Sequence, residues 1–169
     1  ANVGREAAVA AGDDRVDGGD GNNLMTGDDG NDIMDSEAGN DSLFGGNGND
    51  RMGAGAGTNY AEGGAGHDLI TGRTGIDTFF GGAENDQLYG GDGNDLLHGD
   101  AGFDKLFGEV GADKLWGGSG NDWFVFKGTW LVGSGTPPAE HGGDPELAGH
   151  AARALGGGGR AGAGPGGRR

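Results

Sequence analysis

The sequence predicts an all-β solenoid in which two parallel sheets share one thin core, and three observations predict it. A nine-residue period runs without interruption from Val9 to Val125, giving thirteen units. The sixth position of every unit is Asp or Asn. The eighth is apolar throughout and small only at Ala61.

Each position has a mechanical reading. Positions seven to nine run residue–apolar–residue, enough for one very short strand with its middle side chain facing inward. The first six, Gly-Gly-x-Gly-x-Asp in the regular units, must turn the chain, and glycine supplies the positive φ that tight turns require. The fourth position is glycine in every unit except at Glu84, where a glycine-like turn is strained for a side chain. Two units complete one circuit, so units of like parity stack. No unit can bury its apolar face alone, which is the logic of repeat proteins.

Composition alone points the other way. Only 33% of the 169 residues are hydrophobic and 45 are glycine, the residue that loses most backbone entropy on ordering. The net charge of −16 adds self-repulsion. Such a chain is expected to stay disordered unless a repeat architecture or a bound cation tips the balance. A collagen-like reading fails because the glycine period is not three.

Several classes are excluded or disfavoured. There are no cysteines, hence no disulfides or thiolate metal sites. No stretch approaches the apolar length of a membrane span, and the acidic balance argues against nucleic acid as a partner. The first residues lack the basic start and apolar stretch of a cleaved signal peptide. The absence of an initiator methionine suggests a fragment.

Stacked turns also stack their carboxylates. A column of them about 4.8 Å apart is unfavourable unless cations lie between. Hard divalent ions with oxygen ligands fit, and calcium (Ca2+) is the expected cofactor because carboxylates and turn carbonyls together offer its six to eight oxygens. Magnesium gives up its water reluctantly. Zinc would want His or Cys, and the histidines keep no fixed phase.

The units GGDGNDLLH (90–98), GGNGNDRMG (45–53) and GGSGNDWFV (117–125) resemble the calcium-binding nonapeptide of RTX, or hemolysin-type, repeat proteins. The resemblance implies a right-handed parallel β-roll, calcium held between successive turns on each side, and a secreted, extracellular bacterial module exported by a type I system. It also implies that each aspartate bridges two ions while turn carbonyls complete the shell.

Carried over by position, the metal ligands fall on two edges. One edge would stack Asp14, Asp32, Asp50, Asp68, Asp86, Asp104 and Asp122. The other would stack Asn23, Asp41, Asn59, Asp77, Asp95 and Asp113, with weaker sites beside its two asparagines. Turns on that second edge are irregular, since Ser36-Glu37, Ala54-Gly55 and Gly72-Arg73 replace Gly-Gly. One ion per gap would give about six sites on the first edge and about five on the second. The span from Val9 to Val125 holds 23 acidic and five basic residues, a net charge of −18 that about eight or nine divalent ions would neutralise. Metal binding would then supply folding free energy.

Outward positions become aromatic toward the C-terminus. Phe80, Tyr89, Phe107, Trp116 and Trp123 are read as packing under a C-terminal cap or as a partner surface. After Phe126 the period stops. The chain therefore divides into an uninformative segment 1–8, a repeat domain 9–126 and a Gly/Ala/Arg-rich tail 127–169. The tail is expected to be disordered; one short helix is legible at about 145–155, with Asp144 as N-cap, and is too short to be stable alone.

No catalytic constellation is present. His67, His98, His141 and His150 form no H-E-x-x-H pair, and the serines lack a G-x-S-x-G setting. His67 and His98 are read as solvated. The chain is expected to be a non-enzymatic calcium-binding and folding module. The alternative is the C-terminal part of a secreted protease, lipase, polysaccharide epimerase or pore-forming toxin whose active domain lies upstream.

Overall fold

The computed structural model describes residues 6–8 and 11–126; the expectations for 127–169, including the helix, lie outside the described residues. Among the described residues fourteen strands, numbered in chain order, alternate between two parallel sheets. One sheet holds β1 (Glu6–Ala8), β3 (Leu24–Asp29), β5 (Ser42–Asn47), β7 (Tyr60–Ala65), β9 (Thr78–Ala83), β11 (Leu96–Ala101) and β13 (Lys114–Ser119). The other holds β2 (Arg15–Gly19), β4 (Ile33–Ser36), β6 (Arg51–Ala56), β8 (Leu69–Thr74), β10 (Gln87–Asp92), β12 (Lys105–Val110) and β14 (Trp123–Phe126).

Each strand pairs with the strand one circuit away. Leu88 lies beside Leu106, and Leu97 beside Leu115, a displacement of two nine-residue units. This is a parallel β-solenoid of about six turns, with no helix among the described residues. The eighth-position side chains fill the space between the sheets. Met25, Leu43, Met52, Ile70, Phe79, Leu88, Leu97 and Leu106 are wholly buried, and Leu115 and Phe124 at the C-terminal end are partly so.

The strands are longer than the sequence implies. Regular ones run six residues, from position seven of one unit through position three of the next. Position one is therefore a strand residue facing inward, as the burial of Gly45, Gly63, Gly81 and Gly99 shows, and only positions four to six make the turn. Steric crowding explains glycine at position one. A Cβ on Gly45 would collide with Asp50 Oδ2 and with the Gly63 carbonyl oxygen. Position four has a different reason, a positive φ, and Glu84 adopts it at 74°.

The ladder of the second sheet shifts in three pairings, β2–β4, β6–β8 and, at Gly108, β12–β14. The β2–β4 pairing shifts between Asp17 and Gly19 opposite Ser36, β4 ends at Ser36, and β6–β8 shifts around Gly55 next to Ala54. The irregular turns expected on the second edge are thus real. Two of them, at Ser36 and Ala54, carry a Cβ where regular units have a bare glycine. At the N-terminus, β1 pairs with β3 through Ala7 and Met25, one unit earlier than the counted frame. Its sequence signal was faint, because Ala7 is a small residue at the core position and Arg5 stands at the sixth.

The outward rings stack along the ladder. Phe80, His98 and Trp116 form one pile on β9, β11 and β13, with centroids 4.8 and 4.6 Å apart, and Tyr89 lies on Phe107 at 4.3 Å. His98 is accordingly half-buried between two aromatics, not solvated. Trp123 is the most open of the expected five, 64% exposed.

Candidate metal centre

The turns assemble the sixth-position residues into the two columns expected from their parity. On the first edge the N–H of each residue donates to Oδ1 of its counterpart one circuit on. The chain of bonds runs from Asp14 through Asp32, Asp50, Asp68, Asp86 and Asp104 to Asp122, at 2.7–3.1 Å. The second edge repeats the pattern from Asn23 through Asp41, Asn59, Asp77 and Asp95 to Asp113, at 2.7–3.0 Å. All thirteen predicted residues therefore take part. Asp14 and Asp113, near the column ends, are half-buried, and the rest are buried.

The second carboxylate oxygen is the telling atom. Oδ2 of Asp32, Asp41, Asp50, Asp68, Asp77, Asp86, Asp95 and Asp104 is buried and has no hydrogen-bond partner. A buried charge without a partner is costly enough that proteins pair it, neutralise it or place it on a metal. Around these atoms lie more acceptors. The space beside Gly63 that a Cβ would fill is bounded by Asp68 Oδ2 and the Gly81 carbonyl oxygen, and Gly72 repeats this with Asp77 and Gly90.

The electrostatics follow. Burial pushes the carboxyls of Asp68, Asp95 and Asp104 up to about 6, Asp77 to about 7 and Asp86 to about 8. The N–H donated to each Oδ1 lowers the value, and the neighbouring carboxylates of the column raise it again. For Asp86 the raising groups are Asp68 and Asp104 of the column and Glu84 of its own turn. A divalent cation beside Oδ2 would reverse the sign of this field.

The donor set suits a hard cation. Among the described residues no three His, Cys, Asp or Glu side chains converge on one point. Any ion held here therefore takes carboxylate oxygens from stacked turns together with backbone carbonyls, a set that fits calcium and not zinc.

A second ladder escaped the sequence reading. Fifth-position side chains accept from the N–H one circuit on, the opposite sense to the sixth-position bonds. Asn49 Oδ1 takes the His67 N–H at 2.7 Å, His67 Nδ1 the Asn85 N–H at 3.0 Å, and Asn85 Oδ1 the Phe103 N–H at 2.8 Å. His67 is exposed as expected, yet it occupies an asparagine's place in this ladder. The signal was available: Asn recurs at the fifth position in seven of the thirteen units. Glu84 accepts from the Gly66 N–H at 2.9 Å, which ties its left-handed turn to the circuit before.

Comparison with known families agrees with this geometry. A family model, the RTX calcium-binding nonapeptide repeat, matches the chain in four copies, over residues 10–43, 26–61, 62–97 and 89–124. The chain belongs to the RTX calcium-binding repeat family. Membership implies calcium binding and, for the repeat region, a non-catalytic module. No curated protein matches the chain. In this RTX chain no helix among the described residues is long and apolar enough to cross a membrane.

Proposed function

We propose that this chain is a calcium-dependent folding module of a secreted bacterial protein, kept unfolded during type I export and compacted outside the cell by calcium. The ligands are the carboxylates of Asp14, Asp32, Asp50, Asp68, Asp86, Asp104 and Asp122 on one edge, and of Asp41, Asp77, Asp95 and Asp113 on the other. Turn carbonyls complete each shell, and Asn23 and Asn59 contribute no charge.

The observation that carries this reading is the set of eight buried Oδ2 atoms without a donor, stacked along two edges. Without cations the columns repel themselves and desolvate charge. With divalent ions between the turns, the same atoms hold successive circuits together. Calcium supplies the positive charge; the protein supplies oxygens at a fixed spacing and a core too thin to hold the coil alone. Binding energy then becomes folding energy.

Far-ultraviolet circular dichroism tests this directly. In chelator the chain should give a coil spectrum, and millimolar calcium should raise the β-signal while equimolar magnesium does not. Equal β content in excess chelator contradicts the proposal.

A further inference from the structure

We infer that the Asn23 turn is closed by its own side-chain amide and takes no cation, so the second edge carries one ion fewer than its stacked turns would allow. The inference rests on the calcium reading above and deepens it.

In the turns of Asp32, Asp50, Asp68, Asp77, Asp86, Asp95 and Asp104, the inner side-chain atom of position six is an orphaned oxygen beside the first-position glycine. At Asn23 that place belongs to Nδ2, which would lie 3.0 Å from a Cβ on Gly18. This nitrogen donates to the Gly19 carbonyl at 3.1 Å, the Gly21 carbonyl at 3.0 Å and Ser36 Oγ at 3.1 Å. Three acceptors therefore surround one point, and an NH2 group occupies it. An amide with two N–H donors meets the need that a cation meets in the turns with a carboxylate.

Ser36 makes the arrangement specific. It stands at the first position of the next unit on the same edge, where regular units have glycine, and its buried hydroxyl is the third acceptor. The two departures from the repeat, Asn at the sixth position and Ser at the first position one circuit on, are thus a matched pair. Asn59 provides the contrast. Its counterpart one circuit on is Gly72, which has no hydroxyl, and buried Asn59 Nδ2 bonds no turn carbonyl, its side chain interacting instead with the Asp77 carboxylate. The amide closes the turn at Asn23, where the serine is present, and not at Asn59, where it is missing.

The pair also shows what the aspartate turns face. If the carbonyls of positions two and four gather around a donor at Asn23, the same carbonyls around a carboxylate oxygen form an all-oxygen cage. Restoring the consensus with Asn23→Asp and Ser36→Gly should then create a cation site.

The experiment counts ions by native mass spectrometry of the full chain in saturating calcium. The double variant N23D/S36G should carry one calcium more than the wild type. An unchanged count overturns the inference. The second readout is amide exchange at Gly21 and Asn23 in calcium, which Asn23→Ala should accelerate about tenfold through loss of the amide's bonds. Unchanged exchange also overturns it. A wild type that binds no calcium at all refutes the proposed function instead, and the exchange measurement then decides the inference by itself.

Discussion

The N–H of Asp68 donates to Oδ1 of Asp86, 2.8 Å away and one full circuit on, while Asp86 Oδ2 is buried with no donor. One carboxylate therefore joins two circuits through its first oxygen and leaves the second for a cation. The relationship recurs along both edges, so a change at one turn is felt by the turns before and after it.

Asp86→Asn should raise the calcium concentration at the folding midpoint by about tenfold or more, because charge count tunes the affinity of oxygen sites. Asp113→Asn, on a half-buried residue near a column end, should shift it less. Calcium titrations of both variants followed by circular dichroism check the order, and an equal shift contradicts it.

Much of this was legible in the sequence. The nine-residue period fixed the two sheets, the eighth-position core and the parity of the two columns, since spacing alone determines which aspartates stack. Strand length was not legible. Glycine at position one reads as a turn residue, yet Gly45 is a strand residue kept bare by Asp50 Oδ2 and the Gly63 carbonyl. His98 was misread because its aromatic neighbours, Phe80 and Trp116, stand eighteen residues away on either side. The Asn23–Ser36 pair was invisible for a like reason: each residue alone looks like a weak substitution.

Gly45→Ala should destabilise the calcium-bound fold by about 1–3 kcal/mol, because the added methyl meets a carboxylate and a carbonyl that cannot both withdraw. Urea unfolding in saturating calcium measures it. A change near zero would mean that the turn can open without loss.

Phe79→Ala removes the largest wholly buried side chain among the described residues, which lies beside the small Ala61 in the β7–β9 pairing. A loss of about 3–5 kcal/mol is expected, because so thin a core has little freedom to collapse around the cavity. The same urea experiment applies, with the calcium midpoint shifting upward in parallel.

The calcium-free fold should be favoured by acid. Burial places the folded-state carboxyls of Asp77 and Asp86 at about 7 and about 8, against 3.8 for an unperturbed aspartate. The folded form then binds more protons than the unfolded chain between about pH 4 and pH 8, so its stability falls as pH rises through that window. Calcium reverses the trend, since it competes with those protons and binds better as they leave. In calcium-free buffer the β-signal at pH 4 should exceed that at pH 8; the opposite order refutes the assignment.

The central claim is that cations between stacked carboxylates hold this coil together, and small-angle X-ray scattering during a calcium titration tests it most directly. The radius of gyration should fall cooperatively from that of an expanded chain to a compact value as calcium reaches the millimolar range, and return on chelation. Dimensions that do not change with calcium would contradict it.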